Sequence, residues 1–246
     1  MALVPVHGGL KSPVDRFLPF SRKNALMVEV ASLPKITVSD ADLSVVYRIA
    51  DGTLSPLIGF MDEATFHRVL DLKNINHQGV EYAWTIPMSL PVTEEEAAHL
   101  SLNKHAALVD SQGGVIGVIQ VDSIFPWNKE HYVQKIYGTS RMDHPGAAIA
   151  TQDSRTTLVG GPISVLPRKR HSEYEDLLYS PRQTRLMIEE RGWEAALAFQ
   201  TRNPLHRAHE YALVYGVEVL TDAGLYAGVV LNPLVGQLKS DDVDSS

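Results

Sequence analysis

The sequence predicts an α+β, partly barrel-like domain over residues 1–168, followed by an α/β, Rossmann-like unit over residues 169–246. Three observations support this. Short strand candidates with turn residues between them, and brief helices among them, run through the first part without any repeat. The texture then changes at Pro167-Arg168-Lys169-Arg170-His171, a basic cluster read as a solvated linker. Beyond it, two apolar runs at 195–199 and 225–231 flank a helical stretch, the order of a parallel strand–helix–strand unit.

Along the chain, Ser39 is predicted to cap a helix whose apolar residues Leu43, Val46, Tyr47 and Ala50 keep helical spacing, with Gly52 just past its end. A second helix is expected over 62–70. Residues 82–92, interrupted by Pro87 and Pro91, read as an edge or broken strand. Thr93 and Glu96 have the capping-box spacing for a short helix to Leu100. Residues 106–110 and 115–124 form a hairpin pattern across Ser111-Gln112-Gly113-Gly114. Asn128 is placed to cap a helix ending at Gly138. Residues 157–166 read as a strand pair broken at Gly160-Gly161-Pro162. Next, Ser180-Pro181 opens a helix that runs to Arg191 and stops at Gly192. The run at 195–199 reads as a buried strand. Asn203-Pro204 is read as the cap and first residue of a helix to about Thr221.

Composition narrows the function classes. The chain has 246 residues, 44% hydrophobic and 21% charged, which suits a globular protein with a sizeable core. A formal charge of −7 argues against general nucleic-acid or anionic-membrane binding, so any anion site must be a local basic pocket. Zero cysteines exclude disulfides and thiolate chemistry and fit a reducing cytoplasm, the compartment expected here. The opening residues lack the pattern of a secretory signal, and no apolar run reaches the roughly 20 residues of a membrane-spanning helix.

The stretch Gln200-Thr201-Arg202-Asn203-Pro204-Leu205-His206-Arg207-Ala208-His209 carries the chemistry. It places a polar loop between a strand and a helix N-terminus, the local geometry of a phosphate site. His206, at the third helical position in this reading, and His209, one turn on, share a face near the positive end of the helix. Gln200 and Arg202 supply an amide and a guanidinium fork suited to tetrahedral oxyanions. Competing readings of the histidines are a structural pair or a zinc site, although no Cys and no metalloprotease Glu accompany them. A second loop over 232–242 leaves the other strand at the same end. Gly236 allows a tight bend there, Lys239 adds a cation, and Asp241 and Asp242 could cap a helix or meet a phosphate-bound Mg²⁺ through water. A single strand–helix–strand unit leaves open sheet edges, so the second domain is expected to be incomplete.

These residues resemble ATP sulfurylase (sulfate adenylyltransferase). Gln200-Thr201-Arg202-Asn203 with His206-x-x-His209 is similar to that family's signature, and Pro233-Leu234-Val235-Gly236, Lys239 and Asp241-Asp242 to its next loop. Ser55-Pro56-Leu57, Gly59-Phe60-Met61, Trp84-x-Ile86-Pro87, Tyr137-Gly138-Thr139, His144-Pro145-Gly146, Arg185 and Gly192-Trp193 resemble its other landmarks, in order. Two positions depart from the pattern: Asn232 stands where His is usual, and Leu238 where Thr is usual. A Gly-Arg-Asp-His segment that helps hold ATP in the family is not found in this sequence.

The resemblance implies a PUA-like first domain and a nucleotidyltransferase second domain that is incomplete here. It also implies the reaction of ATP and sulfate to adenosine 5′-phosphosulfate and pyrophosphate. Mg²⁺ would accompany ATP, with no protein metal site, and copies would associate as a homo-oligomer. By resemblance, Gln200 and Arg202 hold sulfate, Thr201 and Asn203 orient the α-phosphate region, His206 and His209 meet the phosphates, and Lys239 adds to substrate binding. Alternatives are another nucleotidyltransferase with a different acceptor, or a non-catalytic fragment or binding module.

Overall fold

The computed structural model describes residues 5–167 and 175–234. The chain divides into two compact units, Pro5–Pro181 and a second that takes in the residues from Arg182 onward. The expected boundary at 168 falls outside the described residues.

In the first unit, helix α1 (Lys23–Val30) precedes strand β1 (Lys35–Thr37), helix α2 (Asp40–Ala50), strand β2 (Gly59–Phe60) and helix α3 (Glu63–Leu72). The hairpin β3 (Asn74–His77) and β4 (Val80–Ala83) follows, then β5 (Leu90–Val92) and the short α4 (Glu94–Ala98). Strands β6 (Lys104–Val109), β7 (Val115–Val121) and β8 (Ser123–Pro126) lead to α5 (Lys129–Tyr137), α6 (Pro145–Gln152) and β9 (Thr157–Val165).

Local sequence explains most of these ends. Ser39 accepts the N–H of Asp42 at the start of α2, and Asp62 accepts that of Thr65 at the start of α3. Thr93 and Glu96 complete the capping box of α4. Asn128 caps α5, which stops at Gly138 with φ 67°, a left-handed value that a residue without Cβ adopts freely. Val46, Ile49 and Ala50 bury one stripe of α2 against Ile36, Leu90, Leu108, Ile119 and Ile163 of the sheet. Burying each such large side chain contributes about 1.5–3 kcal/mol.

Seven strands form a nearly closed, barrel-like sheet in which β1, β6, β7, β9 and β2 are neighbours in that order, with β5 and β8 also pairing to β9. This is the α+β, partly barrel-like domain that the sequence predicts. One detail differs. Residues 157–165 form a single continuous strand, not a pair broken at Gly160-Gly161-Pro162. The glycines are there because β9 serves four partner strands at once. A Cβ on Gly160 would lie 2.3 Å from the Met61 carbonyl oxygen, and one on Gly161 would lie 1.8 Å from that of Gln120. They permit close backbone approach rather than a turn. Conversely, the predicted strand at 115–124 divides at Asp122, whose N–H donates to the Gly160 carbonyl, into β7 and β8.

The second unit contains α7 (Pro181–Glu190, its first residue the last of the other unit), β10 (Ala195–Thr201), α8 (Arg207–Asp222) and β11 (Ala227–Pro233). β10 and β11 pair in parallel, from Ala195 opposite Ala227 to Thr201 opposite Pro233. The run at 195–199 is not a buried strand: its side chains alternate between half-buried and exposed. A two-stranded sheet with one helix layer can cover only one face. α8 lies on that face, where Gly216 approaches Leu197 so closely that a Cβ would meet its Cδ2 at 2.7 Å. Trp193 covers Gly228, the one buried residue among the described residues of this unit. Among the described residues, no helix is long and apolar enough to cross a membrane.

Candidate phosphate-binding site

Parallel pairing brings the carboxyl ends of β10 and β11 side by side. The N–H of Leu234 donates to the Thr201 carbonyl at 2.8 Å, so both following segments leave from one place. Ligands in parallel sheets sit at such ends.

Past Thr201 the chain bends on the threonine's own hydroxyl. Thr201 Oγ1 accepts the Asn203 N–H at 3.1 Å and donates to the Asn203 carbonyl at 2.8 Å. Arg202 is exposed between these two residues. Gln200 lies opposite Asn232, and the two-residue period of the strand puts it on the face away from Leu197 and Phe199. Asn232 and Pro233 are therefore strand residues, not the start of the second loop. Gly236, Leu238, Lys239, Asp241 and Asp242 lie outside the described residues.

The helix start also differs from the reading at Asn203-Pro204. α8 begins at Arg207, and its N-cap is His206, extended at φ −129°, ψ 173°. The physical reason is a competition for Asn203. Its backbone is already engaged by Thr201, while His206 offers an imidazole acceptor closer to the helix. His206 Nδ1 accepts the Ala208 N–H at 3.3 Å, and His209 Nδ1 accepts the His206 N–H at 3.5 Å. The two rings thus perform a reciprocal capping arrangement normally made with oxygen acceptors. His206 is consequently the cap rather than the third helical residue.

The pair is close. The imidazole centroids of His206 and His209 lie 3.8 Å apart with planes inclined by 34°, and the Phe199 ring packs 5.2 Å from that of His209. Both histidines stand at the positive end of a helix of 16 residues, where anions are favoured. The structure therefore joins His206 to His209, Thr201 to Asn203, and Gln200 to Asn232. Sequence reasoning missed Phe199 as a neighbour of His209; its only signal was its place at the end of the apolar run. Among the described residues, no group of three or more His, Cys, Asp or Glu is placed to hold a metal ion.

A family model described as ATP-sulfurylase matches residues 175–246, which contain this whole arrangement, and one described as a PUA-like domain matches residues 4–168. A sulfate adenylyltransferase of Pyropia yezoensis is 50% identical over 245 residues, 98% of this chain. Residues 4–168 belong to the PUA-like domain family, and residues 175–246 are similar to ATP-sulfurylase.

The chain spans 57% of the length of the Pyropia yezoensis relative. A sulfate adenylyltransferase of Microcystis aeruginosa is 35% identical over 96% of this chain and 58% of its own length. Among solved structures, a hexameric APS kinase from Thiobacillus denitrificans superposes with a TM-score of 0.70 at 22% identity. That match covers 98% of this chain and 41% of the other, and carries the fold alone. The ATP-sulfurylase match falls on the unit with the capping histidines, and the PUA-like match on the barrel-like sheet.

Proposed function

We propose that the protein is a sulfate adenylyltransferase that joins sulfate to the α-phosphorus of ATP and releases pyrophosphate. The observation that carries this reading is the His206–His209 pair at the start of α8, beside the carboxyl ends of two parallel strands, in the segment that is similar to ATP-sulfurylase. Sulfate is fully ionised near neutral pH, so its attack needs no general base. Catalysis then consists of holding two anions together and stabilising charge on the phosphoryl oxygens and the leaving pyrophosphate.

In this mechanism Arg202 is the main electrostatic clamp on sulfate, with Gln200 as a neutral partner. Thr201 and Asn203 orient the α-phosphate region, His206 and His209 donate to phosphate oxygens, and Lys239 adds a point charge to substrate binding. Mg²⁺ arrives with ATP as part of the substrate. The amide, hydroxyl, guanidinium and imidazole groups of this set suit anions, and Mg²⁺ prefers carboxylate, phosphate and water oxygens. The net charge of −7 favours small anions in a local pocket over polyanionic nucleic acid or membrane surfaces. The absence of cysteine fits a cytoplasmic setting. Assembly as a homo-oligomer is in line with the structurally similar kinase, which is hexameric.

Exchange of labelled pyrophosphate into ATP tests the proposal. Exchange that depends on sulfate supports it. Exchange that proceeds with a different acceptor and not with sulfate would instead assign another nucleotidyltransferase activity.

A further inference from the structure

We infer that the first turn of α8 fixes His206 and His209 as Nε2–H hydrogen-bond donors, with Phe199 as a positioning residue, so that this site contains no imidazole base. The inference rests on the proposed function for its catalytic meaning, but its structural content stands on the capping geometry alone.

Each Nδ1 accepts a backbone N–H: His206 from Ala208 at 3.3 Å and His209 from His206 at 3.5 Å. An imidazole nitrogen accepts only when it carries no proton, and in a neutral ring the proton then sits on the other nitrogen. The tautomer of both rings is therefore assigned by the backbone they cap. Nδ1 is consumed by the cap and Nε2 carries hydrogen, so neither ring retains a lone pair with which to take a proton from a substrate. What remains is a pair of donors, the chemistry that phosphate oxygens require and a general base does not supply.

Packing reinforces the assignment. Turning either ring over would present a carbon to the capped N–H and leave that donor without its acceptor. For His209, tilting of the ring plane away from the capped N–H is further opposed by the His206 ring at 3.8 Å and the Phe199 ring at 5.2 Å. Phe199 carries no polar group, yet it restricts the orientation in which His209 offers its donor. It is a positioning residue rather than a catalytic one.

The test is long-range proton–nitrogen NMR of the ¹⁵N-labelled chain near pH 8, with amide exchange measured on the same sample. Both histidines are expected as single Nε2–H tautomers with unprotonated Nδ1. In His209→Ala, exchange of the His206 amide should accelerate about fivefold to tenfold through loss of one hydrogen bond, and in His209→Gln the amide oxygen should restore protection. Phe199→Leu, with an unchanged backbone fingerprint, should leave His209 in a mixture of tautomers. An Nδ1–H form in the parent chain, a tautomer mixture like that of free histidine, or unaltered His206 exchange in His209→Ala would each overturn the inference. None of these readings involves ATP or sulfate, so their failure is distinct from failure of the proposed activity.

Discussion

The backbone N–H of Leu234 donates to the carbonyl oxygen of Thr201 at 2.8 Å, extending the parallel pairing of β10 and β11 by one bond beyond the last strand residue. Thr201 thereby anchors two departures at once, since its hydroxyl also closes the bend at Asn203. Thr201→Val keeps the shape and removes the hydroxyl, leaving the Asn203 N–H without this acceptor. The loss is expected to cost about 1 kcal/mol locally, seen as faster exchange of the Asn203 amide, whereas Thr201→Ser should retain protection.

His206 has two roles, as helix cap and as proposed phosphate donor, and substitutions separate them. His206→Asn should retain the cap, and His206→Ala should weaken the first turn of α8 by about 1 kcal/mol, read by amide exchange at Ala208. Both should lower kcat in sulfate-dependent turnover. A change confined to the KM for sulfate would contradict the role given to His206. In an intact enzyme, Arg202→Ala should remove about 2–4 kcal/mol of transition-state stabilisation, measured as the fall in kcat/KM.

In the first unit, Gly161 combines φ 147° with a Cβ position 1.8 Å from the carbonyl oxygen of Gln120, a backbone atom that cannot swing aside. Gly161→Ala is expected to cost about 3 kcal/mol or more, because strands must separate to admit the methyl group. Gly113 has φ 81° but open space around it. Its substitution to Ala should cost about 1 kcal/mol, from backbone conformation alone. Urea midpoints of the two variants measure the difference.

Arg155 ties three parts of the first unit together. Its guanidinium donates to Asp42 and Asp153, both at 2.6 Å, and to the Pro91 carbonyl at 3.2 Å. Burial is the largest single influence on the Asp153 carboxyl and pushes its pKa up, but the hydrogen bonds and charge of Arg155 together outweigh it and hold the pKa below the ordinary 3.8. A depressed folded-state value means that the stabilisation is present above the unfolded-state pKa and is lost as pH falls through the folded one. Stability should therefore hold from neutral pH to about pH 4 and fall below it, and Asp153→Asn should flatten that fall. Urea midpoints across the acid range check the slope.

The sequence made the local features legible. Ser39, Asp62, Thr93 and Asn128 sit directly before the helices they cap, and Gly138 directly after the one it ends. Non-local features were not legible. Gly160-Gly161-Pro162 has the composition of a turn, and its place in a straight strand depends on four partners distant in sequence. The apolar run at 195–199 gave the strand but not its exposure, because coverage depends on how many layers surround it. At the candidate site, the strand, the helix and the histidine pair were readable. The helix start was not, because Asn-Pro is the stronger local signal and the competing Thr201 hydroxyl and His206 cap act only once the chain has bent.

If the segment from Thr201 to His209 grips a nucleotide's phosphates, titration of the ¹⁵N-labelled chain with MgATP will show it directly in the amide and imidazole shifts. Saturable shifts are expected, concentrated at Thr201, Arg202, Asn203, His206 and His209, and reduced in Arg202→Ala when sulfate is present. Saturable binding that shifts residues of the first unit and leaves these five unmoved would contradict the assignment of this segment to phosphate binding.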